Sequence, residues 1–185
     1  MSQTAETGHK PSAEQQPAPG EQVAIRQALP ADVRAIYAMV EPYAAQRILV
    51  AKDMVAFYEG VQEFVVAHIG SQVVGCAALH VLWDDLAEIR TVAVHPDYVR
   101  QGIGRQLVQA LIQRARVMQL KRLFCLTFEV SFFTSLGFMV IEGTPVTTEV
   151  FHELLRSQDE GVAEFLDLAR VKPNTLGNTR VLLTL

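Results

Sequence analysis

The hydrophobic and polar positions of this chain are most regular over residues 86–118, where one spacing gives way to another. Up to residue 94 the side chains alternate in two sets, the spacing of a sheet strand. One set is Ala87, Ile89, Thr91 and Ala93, and the other is Glu88, Arg90, Val92 and Val94. His95-Pro96-Asp97 ends the strand, because proline has no N–H to donate to a sheet.

A helix is predicted directly after the turn Gly102-Ile103-Gly104. Apolar residues recur there at helical spacing, at Ile103, Leu107, Val108, Leu111, Ile112 and Ala115. Two glycines at a helix start let backbone N–H groups approach a ligand, and the helix N-terminus carries partial positive charge. The turn is therefore a candidate cradle for a pyrophosphate, although a plain strand-to-helix turn has the same pattern.

The rest of the chain predicts short strands and helices on both sides of this unit. Strands are predicted at residues 23–26, 63–69, 73–82, 121–127, 138–141 and 180–185. Helices are predicted from Asp32 to near Pro42 and at residues 53–58, 130–136 and 146–156. The expected fold is α/β (α+β), a mixed sheet with helices on both faces.

The first 22 residues differ from the rest in composition. After Met1 they carry no apolar side chain larger than alanine, so they cannot bury enough surface to offset the entropy of ordering. We predict a disordered tail over residues 1–22 and one domain over residues 23–185. The tail has no apolar run of the signal-peptide kind, and no apolar run approaches membrane-spanning length.

The net charge and the two cysteines indicate which classes of function are unsupported. The 185 residues carry 16 basic and 20 acidic side chains, a net charge of −4, which gives no support for a nucleic-acid partner. Cys76 and Cys125 lie in apolar runs, as reduced core cysteines of a cytoplasmic protein would. No cysteine–histidine cluster is spaced to bind zinc, so no metal is expected.

The ordered segments AEIRTVAVHPDYVRQGIGRQLV and LFCLTFEVSFFTSLGF resemble the GCN5-related N-acetyltransferase (GNAT) family. The resemblance extends over about residues 23–185. It implies a mostly antiparallel sheet whose fourth and fifth strands splay apart, with acetyl-CoA as the cosubstrate between them. The implied cofactor contacts are Val92, Ala93, Val94, Val99, Arg100, Gln101, Gly102, Ile103, Gly104 and Arg105. At Val99 the family usually has Arg or Gln.

The resemblance also implies that Glu88 is the general base. Burying a carboxylate in a strand is costly unless function or a partner compensates, and burial raises its pKa toward the working pH. The structural alternative is an exposed Glu88–Arg90 pair. The backbone N–H of Val92 is the expected donor to the thioester oxygen. The family's tyrosine acid is absent after the fifth strand, so Ser131, directly or through water, is the candidate acid, and unassisted departure of the thiolate is the alternative.

The segments EGTPVTTEVFHE (residues 142–153) and VAEFLDLARVKPN (residues 162–174) resemble the short single-domain actinobacterial N-acetylglutamate synthases. Three features resemble the acetyltransferase domain of N-acetylglutamate synthases more widely. They are AEIRTVAVHPDY with the strand R-x-F-x-L-T, the segment ILVAK at residues 48–52, and KPNTLGNTR at residues 172–180. The implied reaction is acetylation of the α-amine of glutamate, with glutamine as a further acceptor, the first step of arginine biosynthesis. Arginine inhibition is not implied, because the kinase domain that binds arginine in the long synthases is not part of the resemblance.

Side chains on segments flanking the acceptor cleft are candidates for binding such a substrate. They are the cations Lys52, Arg90, Lys172 and Arg180 and the amides Asn174 and Asn178. Lys52 and Arg90 are the preferred anchors, although each cation alone has the pattern of a surface charge. The open alternatives are a protein N-terminus or an aminoglycoside as acceptor, and an acyl-CoA-binding module without turnover. A cationic aminoglycoside is disfavoured by these basic residues. The oligomeric state is open, with a homodimer as one outcome.

Overall fold

A computed structural model of the chain describes residues 22–46, 48–49, 52–168 and 177–185. The predicted tail therefore lies outside the described residues, apart from Gln22. The strands are β1 (Ala24–Gln27), β2 (Phe64–Ile69), β3 (Gln72–Val81), β4 (Leu86–Val94), β5 (Arg122–Thr127), β6 (Met139–Val140) and β7 (Thr179–Thr184). The α-helices are α1 (Val33–Ala45), α2 (Met54–Glu59), α3 (Ile103–Val117), α4 (Val130–Thr134), α5 (Thr148–Leu154) and α6 (Glu160–Phe165).

The strands form one sheet in the order β1-β2-β3-β4-β5-β7-β6. Only β4 and β5 run parallel, and the other neighbours are antiparallel. Helices α3 and α4 pack on one face, while α1 and α2 cover one end and α5 and α6 the other end of the opposite face. The predicted mixed sheet with helices on both faces is confirmed. None of the described helices is long and apolar enough to cross a bilayer.

The sheet opens between β4 and β5. These strands pair through only three residues each, 86–88 with 122–124, although β4 continues to Val94 and β5 to Thr127. Beyond Glu88 and Phe124 the two strands have no ladder between them. The splay implied by the family resemblance is therefore present, and Glu88 lies at the point where the strands part.

One predicted helix end was wrong, and one helix was missed. Helix α1 does not end near Pro42 but continues to Ala45. Proline removes a single hydrogen bond in this last turn, and the helix is held by its apolar face on the sheet. Helix α6 was not predicted at all. It begins at its N-cap Asp159, whose carboxylate accepts the N–H of Val162, and it packs Phe165 edge-on against Phe124 of β5.

Candidate active site

The gap between β4 and β5 forms a cleft of about 780 Å³. Its walls come from both strands, from α4 and from the end of α1. The lining consists of residues 89–94 and 125–129 together with Tyr43, Gln46, Ile48, Leu49, Val99, Phe132 and Phe133. Two residues of the predicted ILVAK segment thus line the cleft, while Val50 and Ala51 lie outside the described residues.

A β-bulge at Thr91 shapes the β4 wall. In the pairing of β3 with β4, Ala78 lies opposite Arg90 and Cys76 lies opposite Ala93. The single β3 residue between them, Ala77, therefore faces two residues of β4, Thr91 and Val92. Thr91 itself has φ 58°, which breaks the uniform alternation predicted from sequence. Ala87 and Ile89 face α3, as Val92 does, whereas Ala93 faces α1. The cofactor contacts predicted at residues 92–94 all lie in the cleft wall.

The glycine turn begins α3 as predicted. Gly102 is the N-cap with φ 80°, and Arg100 before it also has a positive φ of 63°. A Cβ on Gly104 would stand 3.7 Å from the ring of Phe132, so the first turn of α3 faces the α4 wall of the cleft. Arg105 donates a hydrogen bond to the Ser135 hydroxyl at 2.8 Å, which ties the two helices together. This arrangement suits an anion at the helix N-terminus.

Glu88 is almost completely buried, with 3% of its surface exposed. Within the described part of the chain its Oε2 atom has no hydrogen-bond partner. Burial raises the pKa of Glu88 to about 8, with Arg90 opposing the rise and Glu164 and Asp159 adding to it. A buried carboxyl group that titrates near neutral pH has the property that a general base requires. The alternative of an exposed Glu88–Arg90 pair is excluded by this burial.

Ser131, the predicted general acid, lies on the exposed side of α4 and is not among the residues lining the cleft. Its neighbours Phe132 and Phe133 form the wall instead, with their rings 5.1 Å apart. A role for Ser131 therefore stays a prediction, and it requires a water or a movement of α4. Cys125 also lines the cleft, and burial raises the pKa of its thiol well above the usual range. Cys125 is thus a neutral wall residue, as the apolar sequence context indicated.

The preferred substrate anchors, Lys52 and Arg90, are both engaged by carboxylates. Arg90 donates to Asp159 Oδ1 at 2.8 Å and to Glu63 Oε2 at 3.0 Å. Lys52 Nζ donates to Asp159 Oδ2 at 3.1 Å. Glu63 also binds His80 Nδ1 at 2.7 Å. The Arg90 side chain is 13% exposed and held between two acidic groups, and its role as a substrate anchor stays a prediction.

The predicted contacts at the C-terminal end divide into three groups. Lys172 and Asn174 lie outside the described residues. Asn178 donates to Glu164 Oε1 at 2.9 Å, and its Oδ1 atom is buried with no described partner. Arg180 is committed elsewhere: it donates to the backbone carbonyl of Phe165 at 2.8 Å and lies over the ring of Phe124. Its predicted role in substrate binding conflicts with these contacts, which hold the end of α6.

Sequence reasoning missed several residues of this site. Tyr43 and Gln46, at the end of α1, line the cleft and carry no motif that would mark them. Asp159 and Glu63, which hold the two cations, lie 69 and 27 residues from Arg90, so no local pattern connects them. Among the described residues, no group of histidine, cysteine or acidic side chains is arranged to hold a metal ion.

The sequence profile of the Acetyltransferase (GNAT) family matches residues 31–138. The chain belongs to the GNAT family of acetyltransferases. An amino-acid acetyltransferase of Mycobacterium tuberculosis is 57% identical over 164 residues, 87% of this chain and 94% of that relative. The crystal structure of Rv2747 from the same organism, in complex with CoA and NLQ, superimposes with a TM-score of 0.85 over 88% of this chain and 99% of that one, also at 57% identity.

Longer GNAT proteins match over part of their length. An amino-acid acetyltransferase of Edwardsiella ictaluri is 34% identical over 120 residues, 64% of this chain and 27% of that relative. An N-acetylglutamate synthase of Neisseria gonorrhoeae, complexed with coenzyme A and N-acetyl-glutamate, shares the fold at 24% identity with a TM-score of 0.71, over 91% of this chain and 36% of that one. The chain is thus a GNAT acyltransferase with acetyl-CoA as its cosubstrate, similar to amino-acid acetyltransferases.

Proposed function

We propose that this enzyme transfers the acetyl group of acetyl-CoA to the α-amine of L-glutamate, and also to that of L-glutamine, as the first step of arginine biosynthesis. The observation that carries the proposal is the position of Glu88, buried at the point where β4 and β5 part, with one carboxylate oxygen unpartnered among the described residues. The similarity to amino-acid acetyltransferases supports an amino acid as the acceptor.

In the proposed mechanism Glu88 takes a proton from the ammonium group of the acceptor, directly or through a water. The neutral amine then attacks the thioester carbonyl carbon, so that an N–C bond forms and the C–S bond breaks. The backbone N–H of Val92, next to the bulge at Thr91, stabilises the negative charge that develops on the carbonyl oxygen. The CoA thiolate leaves and takes up the second proton, which the attacking nitrogen releases, through water or with Ser131 as a relay. The proton held by Glu88 passes to solvent before the next turnover.

The glycine turn and the cleft wall provide for the cosubstrate. The first turn of α3, opened by Gly102 and Gly104, would bind the pyrophosphate through backbone N–H groups. Residues 92–94 would accompany the pantetheine arm along the cleft wall, of which they form a part. The acceptor amino acid would approach from the opposite side of β4, where Lys52 and Arg90 lie near Glu88 and contribute to its electrostatics.

The proposal is tested with the wild-type protein, acetyl-CoA and a panel of amines, by following the free thiol released. The panel contains glutamate, glutamine, other amino acids, a peptide with a free N-terminus and an aminoglycoside. Thiol release that requires glutamate or glutamine is expected. Release with another amine alone would refute the substrate assignment. Tight binding of acetyl-CoA with no release for any amine would instead identify a binding module without turnover.

A further inference from the structure

The carboxylate of Asp159 bridges Arg90 and Lys52, two cations that act electrostatically on Glu88. Its Oδ1 atom accepts from Arg90 Nη1 at 2.8 Å, and its Oδ2 atom accepts from Lys52 Nζ at 3.1 Å. Arg90 lies on β4, Lys52 precedes α2, and Asp159 begins α6. The bridge therefore joins the helices on both sides of β4 across the sheet face that carries Glu88.

The Asp159–Arg90 half of this bridge is held firmly. The Oδ1 atom of Asp159 also accepts the N–H of Val162 at 3.0 Å, so the same oxygen caps α6 and binds arginine. The guanidinium lies so close to the backbone of α6 that a Cβ on Gly161 would stand 2.5 Å from Nη1. Glu63 binds the other side of the guanidinium at 3.0 Å. Arg90 is thus neutralised by two carboxylates and fixed between them.

Lys52 is the less constrained member. Its side chain is 24% exposed, and within the described part of the chain its Nζ atom is bonded only to Asp159. An ammonium group has three N–H donors, so two are left for another acceptor. A lysine side chain loses conformational entropy when it is held in one place. Asp159 provides that restraint before any substrate binds.

We propose that Asp159 is a positioning residue, which holds Lys52 Nζ over the face of β4 so that its remaining N–H groups bind the α-carboxylate of the acceptor. Arg90 fixes Asp159 and does not itself bind the substrate carboxylate. This inference rests on the proposed function, since it requires an acceptor with a carboxylate next to its amine. In this arrangement Lys52 alone anchors the substrate carboxylate, and the Arg90–Asp159 ion pair supports it.

The test compares Asp159→Asn with the wild-type enzyme, using whichever of glutamate or glutamine is acetylated faster. Asparagine retains the shape and the helix cap but loses the charge that attracts Lys52. The KM for the amino acid should rise about tenfold or more, while kcat and the KM for acetyl-CoA change less than about threefold. Asp85→Asn is the matched control, because Asp85 binds Arg122 at 2.9 and 3.0 Å away from the cleft. It should leave all three constants near the wild-type values.

A double-mutant cycle with Lys52→Met decides whether Asp159 acts through Lys52. Lys52→Met alone should raise the KM for the amino acid at least as much as Asp159→Asn, and Asp159→Asn should then add nothing further. Additive effects, an unchanged KM in either single variant, or a lower KM in Asp159→Asn would overturn the inference. Where Asp159→Asn does not fold, Asp159→Ser, which also caps a helix and lacks the charge, takes its place in the cycle. Failure of the proposed function would show separately, as a wild-type enzyme that acetylates neither amino acid.

Discussion

Replacing Glu88 by glutamine tests the proposed role of this residue as the general base. Glutamine has nearly the same volume and removes only the ionisable group. We expect kcat/KM at pH 7 to fall by about 10²–10⁴-fold, the range that general acid–base catalysis contributes. Binding of acetyl-CoA should be unchanged, because Glu88 does not line the cleft between β4 and β5.

The pH dependence follows from the pKa of Glu88, which burial raises to about 8. At pH 7 only about one molecule in ten then carries the ionised base, and at pH 9 about nine in ten do. The kcat/KM of the wild-type enzyme should therefore rise by about tenfold between pH 7 and pH 9 and then level off. The Glu88→Gln variant should not show this tenfold rise in kcat/KM. The difference between the two enzymes should narrow above pH 9, where the acceptor amine loses its proton without help.

The assay is thiol release at saturating acetyl-CoA across this pH range, with Asp85→Asn as a control that removes a carboxylate outside the site. Calorimetry with CoA checks that Glu88→Gln keeps its binding affinity. A variant that retains near-wild-type rates at pH 7 would remove Glu88 from the mechanism. A wild-type profile that is flat between pH 7 and pH 9 would show that the titration of Glu88 does not control the reaction.

Three further outcomes are expected. The pKa of Glu88 is 4.5 in the unfolded chain and about 8 in the folded protein, so between these values only the folded protein holds the proton. The free energy of unfolding should therefore fall as the pH rises from about 4.5 to about 8, by at most about 5 kcal/mol. Urea unfolding at pH 5 and pH 9 should show a smaller loss in Glu88→Gln, and an equal loss would contradict this. Gly104→Val should weaken CoA binding by about tenfold or more in calorimetry, because the valine side chain would stand where N–H groups of α3 meet the pyrophosphate. Unchanged affinity in a folded variant would show that the turn has only a structural role. Gly161→Ala should displace the Arg90 guanidinium and lower the free energy of unfolding by about 1–3 kcal/mol, and unchanged stability would show that the close approach is not required.

The parts of the fold with regular periodicity were predictable from the sequence. The α3 helix follows from apolar residues at helical spacing after two glycines, and it begins at Ile103 as expected. The β2–β3 hairpin follows from two apolar runs around Gly70, which has a positive φ of 55°. Glu88 could be identified from sequence because burying a carboxylate in an otherwise apolar strand costs free energy, and the family resemblance indicated its role.

The features that were missed depend on tertiary contacts or on local backbone geometry. Thr91 is an ordinary strand residue by composition, so nothing in the period-2 pattern marks the bulge that reverses the faces of β4 after it. The helix α6 has only six residues and contains Gly161, which lowers helix propensity, and it is held by packing on Phe124. The neutralisation of Arg90 and Lys52 by Asp159 joins residues 69 and 107 positions apart. Cationic side chains could be found from sequence, but whether they are already paired could not.

Competition between the two proposed acceptors tests the assigned reaction most directly. The wild-type enzyme is given limiting acetyl-CoA and equal concentrations of glutamate and glutamine, and the acetylated products are separated and identified by mass spectrometry. Both should be acetylated on the α-amine, with N-acetylglutamate as the main product and one CoA thiol released for each product molecule. If neither amino acid is acetylated while another amine is, the assignment of the acceptor is wrong, although the chain remains a GNAT acetyltransferase.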